Sequence, residues 1–301
     1  MDHPAHPARH GGPASAGRRR FVAAAPLACW ATLWPQAGQA AGPTSTAQGA
    51  LPTHRAVPGG VLVVPIGASP VAPRAALGQQ PVLVWGQPSG WTAVAGLALS
   101  TAPGPVTVRV TETPSSSARS LVFEVQAAIY PEQRLKVAPR HVELSKDDLA
   151  RHERERQHLA SVMAMRSETP PSGLRMRVPV PGPRSSSFGL RRVFNGQARS
   201  PHNGMDIAAP TGTPITSPLP GRVIDTGDYF FSGLSVWLDH GSGLLSFYCH
   251  LDTLGCNLGQ TLAIGEVLGT VGATGRVTGP HLHWSVMLNR AYVDPALFID
   301  A

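Results

Sequence analysis

Cysteine is scarce in this chain. Three occur in 301 residues, and no two form a Cys-x-x-Cys pair, which excludes a thiolate zinc site of the finger or ribbon kind. Aromatic residues make up 6% and charged residues 14%. No basic stripe is interleaved with aromatics, which argues against nucleic acid as a partner despite a formal net charge of +7. The motif His-Glu-x-x-His is missing too. Its nearest approach, His152-Glu153-Arg154-Glu155-Arg156, ends in Arg, so a helical zinc site with a glutamate base is excluded. After residue 40 no apolar run reaches bilayer-spanning length without Pro or Gly.

Glycine (32) and proline (30) are plentiful. That balance favours short strands joined by many turns over long helices. Hydrophobic residues make up 42%, and the length supports two ordinary domains with real cores.

The first forty residues read as an address. Arg18-Arg19-Arg20 precede an apolar run from Phe21 to Trp34, and Ala37-Gly38-Gln39-Ala40-Ala41 follow. Positive charge, a short apolar core and a small-x-small exit are the parts of a secretory signal, expected over residues 1–40 with a cut after Ala40. The Arg pair followed by x-Phe-Val also resembles a twin-arginine signal. An uncut anchor is the rival; after signal removal no stable membrane insertion is expected. Cys29 falls in this segment. Cys249 and Cys256 remain, open between a bridge and two buried thiols.

Residues 41–56 are rich in Ala, Gly, Thr and Pro and read as a linker. Residues 57–144 read as a β-sandwich-like domain. Val61-Leu62-Val63-Val64, Pro81–Trp85, Trp91–Ala95, Val106–Val110 and Leu121–Val125 are strand-like runs punctuated by turn signals. Ser145 is placed as the N-cap of a helix over 145–166, with Asp148 as the capping-box acid and a solvated, ion-paired surface. Residues 167–187 read as a Pro-rich, extended, semi-rigid spacer. From 188 to 301 strand and turn signals return, and the region reads as a mostly antiparallel β domain. Asp239-His240-Gly241-Ser242-Gly243 is read as a turn, with His240 structural. The fold class is therefore mainly β, with one linking helix.

Two segments carry chemistry. In His281-Leu282-His283-Trp284 the imidazoles are two apart, so a strand puts both on one face and Leu282 and Trp284 on the other. In His202-Asn203-Gly204-Met205-Asp206 a His and an Asp are four apart, at a turn that Gly204 allows to bend back into a strand. Imidazoles side by side are costly to bury without a partner, and a divalent metal is the simplest one. A catalytic zinc takes three such ligands and leaves a position for water. His250 lies on a strand-like run between the two segments.

At this point a resemblance becomes specific. His202-Asn203-Gly204-Met205-Asp206-Ile207-Ala208-Ala209-Pro210-Thr211-Gly212-Thr213-Pro214 resembles the first signature of the lysostaphin/LytM-type zinc endopeptidases. Tyr248-Cys249-His250-Leu251 and Thr278-Gly279-Pro280-His281-Leu282-His283 resemble the second and third, and Ser187-Phe188-Gly189-Leu190-Arg191 resembles the lead-in. The upstream β domain is similar to the amino-terminal domain of some Gram-negative members. The resemblance implies a zinc ion held by His202, Asp206 and His283, with His250 and His281 as the catalytic pair outside the ligand set. It also implies cleavage of peptidoglycan peptide cross-links in the periplasm, with the D-Ala–meso-diaminopimelate bond as the expected target. Members that have lost ligands act only as activators; here all five positions are filled. A wall amidase is the other rival. A glycosidase would need two carboxylates flanking a sugar, and no such pair stands out.

Overall fold

Period-two alternation in the first half of the chain generates short strands that hide one face. In the computed structural model, residues 51–113, 116–136, 144–198 and 200–300 are described. The export signal read over 1–40, Cys29 and the first part of the 41–56 linker lie outside the described residues.

Seven strands come first: β1 (Val61–Gly67), β2 (Arg74–Leu77), β3 (Gln80–Pro81), β4 (Leu83–Gln87), β5 (Gly90–Gly96), β6 (Gly104–Thr111) and β7 (Arg119–Val125). They form two antiparallel sheets, β1-β5-β4 and β3-β2-β6-β7. Leu62, Val64, Ala93 and Ala95 of the first sheet meet Ala75, Val108, Val110 and Val125 of the second in one core. Alternate residues facing inward from two sheets make this a sandwich.

The first sheet has a second buried face. Val61, Leu83 and Val94 join a larger core with Val286, Leu288, Val293 and Phe298 from the far end of the chain. That is why Val61-Leu62-Val63-Val64 is apolar without a break: such a run suits a strand covered on both sides. At the seam, a Cβ on Gly96 would lie 2.9 Å from Val293 Cγ1 and 3.0 Å from Leu288 Cβ, so only glycine fits without movement. Asn289 closes the joint, accepting from the Gly96 N–H at 2.6 Å and donating to the Gly96 carbonyl at 3.1 Å. The described residues from 51 to 300 accordingly belong to one compact unit.

Three further segments connect the two β regions. Strand β8 (Glu132–Leu135) was not expected from the sequence. Helix α1 spans Lys146–Met163, with the Ser145 hydroxyl accepting the Asp148 N–H at 3.1 Å. Only one side of α1 is the ion-paired surface expected, where Glu153 meets Arg156 and Gln157. The other side is docked. Glu155 accepts the Phe230 N–H at 2.9 Å, His158 Nε2 lies 2.8 Å from Asp225, and Val162 packs with Trp237, Leu245, Phe247 and Met287.

The Pro-rich stretch differs from the spacer expected. Leu174, Met176 and Val180 are buried in the large core, and the Met176 N–H donates to the Phe298 carbonyl at 2.7 Å. Apolar side chains between the prolines turn a spacer into a packed strap. The described part of the 41–56 linker is also tied down, through the Thr53 N–H to the Leu297 carbonyl at 2.7 Å.

The remaining strands are β9 (Arg184–Ser186), β10 (Arg191–Phe194), β11 (Gln197–Ala198), β12 (Met205–Ala208), β13 (Pro214–Thr216), β14 (Gly221–Tyr229), β15 (Gly233–Gly241), β16 (Leu244–Leu254), β17 (Thr261–Leu262), β18 (Val267–Val271), β19 (His281–Leu288) and β20 (Ala291–Val293). A ten-stranded sheet carries the order β17-β14-β15-β16-β19-β12-β9, with β13, β18 and β20 added at its flanks. Strand β10 pairs in parallel with β8 and antiparallel with β11. The turn read over Asp239–Gly243 is shorter than expected. Asp239, His240 and Gly241 end β15, and Ser242 and Gly243 alone reverse the chain, both with positive φ. His240 is buried, donating from Nδ1 to the Pro220 carbonyl at 2.9 Å and lying 2.7 Å from Ser246 Oγ through Nε2. Cys249 and Cys256 are buried free thiols.

Two outcomes follow from this packing. Leu174→Ala removes a fully buried side chain from the strap and is expected to cost about 2–5 kcal/mol in urea unfolding; a cost under about 0.5 kcal/mol, the range of surface changes, would mark the strap as a loose tether. Burial lowers the pKa of His240 below its ordinary 6.5, against the opposing pull of the Pro220 carbonyl. The folded state therefore resists a proton that the unfolded chain accepts, so this contribution is complete above about pH 6.5 and drains away as pH falls. His240→Gln is expected to flatten the fall in unfolding free energy between about pH 7 and 5, measured by denaturation across that range; an unchanged slope would contradict it.

Candidate metal and catalytic centre

Strand register brings the distant segments together. In the antiparallel pair β12–β19, Asp206 stands opposite His283 and Ala208 opposite His281. Strand β16 lies on the other side of β19 and sets Cys249 opposite His283. His281 and His283 share a face as expected, while Leu282 and Trp284 are fully buried on the other. His202 precedes β12 and is held by the lead-in, with its N–H on the Leu190 carbonyl at 3.0 Å and its carbonyl accepting from the Gly189 N–H at 2.8 Å.

Gly204 serves a different purpose from the bend expected of it. Its φ is outside the left-handed region. A Cβ there would lie 2.4 Å from the Trp284 carbonyl oxygen and 2.7 Å from His283 Nε2, so glycine is required for close approach to β19.

His250 arrives by a device with no signature in the residue pattern. In an unbroken strand it would share the face of Tyr248, which is buried in the core. Instead Val236 pairs with Tyr248 and Leu234 with Leu251, which leaves an extra residue in β16, and His250 has φ +65°. This left-handed bulge re-aims the ring toward His281, whose centroid is 5.0 Å away. A non-glycine residue in that conformation costs roughly 1–3 kcal/mol and persists only when its surroundings enforce it.

Three of the imidazoles have one nitrogen assigned by a carbonyl partner. His202 Nδ1 is 2.9 Å from the Ser187 carbonyl, His250 Nδ1 is 2.9 Å from that of Thr274, and His281 Nδ1 is 2.8 Å from that of Gly279. A carbonyl only accepts, so each Nδ1 carries the hydrogen and each neutral ring keeps its lone pair at Nε2. His283 is anchored the other way round, with Nε2 2.9 Å from Ser285 Oγ.

Three donor atoms then converge. His202 Nε2, His283 Nδ1 and Asp206 Oδ1 lie 2.9 Å from one another in all three pairings, and all three residues are buried. With His202 Nδ1 already holding its hydrogen, a neutral His202 points a lone pair at a carboxylate and at a second imidazole nitrogen. Acceptors facing acceptors repel, and a divalent cation is the partner that turns this into attraction. Two imidazoles, each with its other ring nitrogen hydrogen-bonded, and a carboxylate fit zinc. Burial by itself would raise the Asp206 carboxyl, but the adjoining His202 and His283 rings outweigh it and hold the group well below the usual carboxylate range. Burial pushes His283 down, and it pushes His250 down to about 3, helped by the nearby His283 ring and opposed by the Thr274 carbonyl.

The five residues named from the sequence thus meet at one cleft of about 530 Å³. Sequence reading missed Arg192 and Arg276, which also line it, and Gln133, which β8 carries to its edge. Arg192 adjoins the lead-in motif, so its position was the available signal. The carbonyls of Ser187, Thr274 and Gly279 leave no mark in the residue pattern.

Comparison with known proteins matches both β regions to known families. Residues 200–295 match Peptidase family M23, and residues 54–127 match the Peptidase family M23 N-terminal domain. The chain is 39% identical over 105 residues to peptidoglycan DD-endopeptidase ShyA of Vibrio cholerae, covering 35% of this chain and 24% of that protein. It is 38% identical over 111 residues to the DD-carboxypeptidase/endopeptidase Mpg of Neisseria meningitidis, covering 37% and 26%. The match therefore spans about a quarter of the length of each of these curated relatives. A crystal structure of a putative peptidase M23 from Pseudomonas aeruginosa is similar over far more of the chain, with a TM-score of 0.69, 41% identity, and coverage of 81% of this chain and 95% of that one. With both of its β regions matched and nearly all of that relative covered, the chain belongs to peptidase family M23.

Proposed function

We propose that this protein is an exported zinc-dependent endopeptidase that hydrolyses peptide cross-links of peptidoglycan. Convergence of His202 Nε2, His283 Nδ1 and Asp206 Oδ1 on one point carries this reading. In it these three residues hold the ion, and His250 and His281 are the catalytic pair. The names of the relatives, DD-endopeptidase and DD-carboxypeptidase/endopeptidase, support peptidoglycan as the substrate and the D-Ala–meso-diaminopimelate bond as the target. The amino-terminal address supports periplasmic export, and no helix among the described residues is long and apolar enough to cross a membrane.

The chemistry such an ion supplies when bound is a water acidified to a pKa of about 7 and a polarised scissile carbonyl. The rest falls to the chain. Among the described residues Asp206 is the only carboxylate lining the cleft and is committed to the ligand cluster, so proton traffic belongs to imidazoles. His250 and His281 both keep Nε2 as an acceptor, because Thr274 and Gly279 bind the opposite nitrogen. Burial keeps His250 neutral at the working pH, ready to take a proton from the attacking water. Carried as imidazolium, that proton can be donated to the developing oxyanion or handed to the leaving amine.

Purified protein is expected to carry one zinc per chain and to cut cross-linked muropeptides, with activity lost on chelation and regained with zinc. Asp206→Asn is expected to lose the metal. His250→Ala and His281→Ala are expected to keep it while turnover falls about 10²–10⁴-fold, the usual contribution of general acid–base catalysis. Intact turnover in His281→Ala would remove that residue from the mechanism. Mass spectrometry showing a cut at the sugar–peptide amide would replace the endopeptidase reading with an amidase one.

A further inference from the structure

The charged side chains lining the cleft are Arg192, Arg276 and Asp206 among the described residues. Asp206 belongs to the ligand cluster, so what remains for a substrate is cationic. Arg192 is set close to the chemistry. Its guanidinium donates to Ser186 Oγ at 3.2 Å and stands 3.7 Å from Asp206 Oδ2. The second distance makes an ion pair but is too long for a hydrogen bond, so the donor fork is not spent on Asp206. The Arg192 side chain is one-third exposed, which leaves it open to a ligand. Arg276 sits on the opposing loop, stacked 4.2 Å over the Phe231 ring, and adds positive field to the same cleft.

We propose that Arg192 reads a carboxylate on the residue flanking the scissile bond. This rests on the endopeptidase reading above and deepens it. In a D-Ala–meso-diaminopimelate bridge, the carbon bearing the leaving amine also bears a free carboxylate. A bidentate guanidinium beside the ligand cluster is the group that recognises a carboxylate so placed. The protein therefore selects bridges in which that carboxylate is ionised and discriminates against those in which it is amidated. The carboxylate also helps hold the amide in register for attack.

The test uses the full-length mature protein and two synthetic cross-linked peptides, identical except that this carboxylate is free in one and a carboxamide in the other. Amidation is expected to lower kcat/KM about 10- to 100-fold, the range for losing one charge-assisted hydrogen-bond pair. Arg192→Gln is expected to cut both peptides at a similar, reduced rate, so that the ratio collapses toward one. Arg192→Lys keeps part of the discrimination. Zinc content of Arg192→Gln is expected to equal that of the wild type. Equal cleavage of both peptides by the wild type overturns the proposal while leaving the endopeptidase standing. So does full discrimination in Arg192→Gln, or its loss of zinc, which would make Arg192 a support for Asp206. If neither peptide is cut, the endopeptidase reading itself falls and takes this inference with it.

Discussion

A lone pair of His202 forced against a carboxylate and a second imidazole is the constraint on which this structure depends. His202 Nε2, His283 Nδ1 and Asp206 Oδ1 are buried at 2.9 Å separations, an arrangement that is unfavourable without positive charge at its centre. The hydrogen bond from His202 Nδ1 to the Ser187 carbonyl fixes that ring's tautomer, and the contact of His283 Nε2 with Ser285 holds the second ring in place. Much of the surrounding fold serves to maintain that tension. Gly204 lets β12 lie against β19, Leu282 and Trp284 anchor β19 in the core, and the lead-in turn of Ser187, Gly189 and Leu190 pins His202.

A second layer governs the rings beside that cluster. His250 is swung into the cleft by a left-handed bulge and then fixed by Thr274. Thr274 is itself bound through Oγ1, which accepts the Leu234 N–H at 3.0 Å and donates to the Leu251 carbonyl at 2.7 Å. The strained residue and its restraint therefore share one small network, so backbone strain at His250 is sustained by neighbours with alternatives no better than their present bonds. Helix α1 reaches the same region from outside, because His152 packs edge-on to Phe231 at 4.7 Å and Phe231 lies beneath Arg276.

The amino-terminal sandwich is part of the same body. Its first strand is covered on both faces, its Gly96 is pressed against β19 and β20, and Asn289 bonds both polar groups of that glycine. A segment read as a spacer contributes Leu174, Met176 and Val180 to the shared interior. Such a joint gives each region a core larger than it would bury alone.

Local pattern was enough for much of this. The strands over Val61–Val64, Trp91–Ala95 and Val106–Val110, the Ser145 cap, and the same-face placement of His281 and His283 follow from side-chain periodicity and capping chemistry, which are properties of a few neighbouring residues. The grouping of His202, Asp206, His250, His281 and His283, which line one cleft, was legible because motif spacing is also local. Tertiary structure alone decided that Gly204 is needed for clearance and not for bending, that the Pro-rich stretch is packed, that β8 pairs with β10, and that His250 faces the site through a bulge. It alone brought Arg192 beside Asp206. These depend on which backbones approach one another across large separations in the chain, and a residue's type records its own preferences but not what will be laid against it.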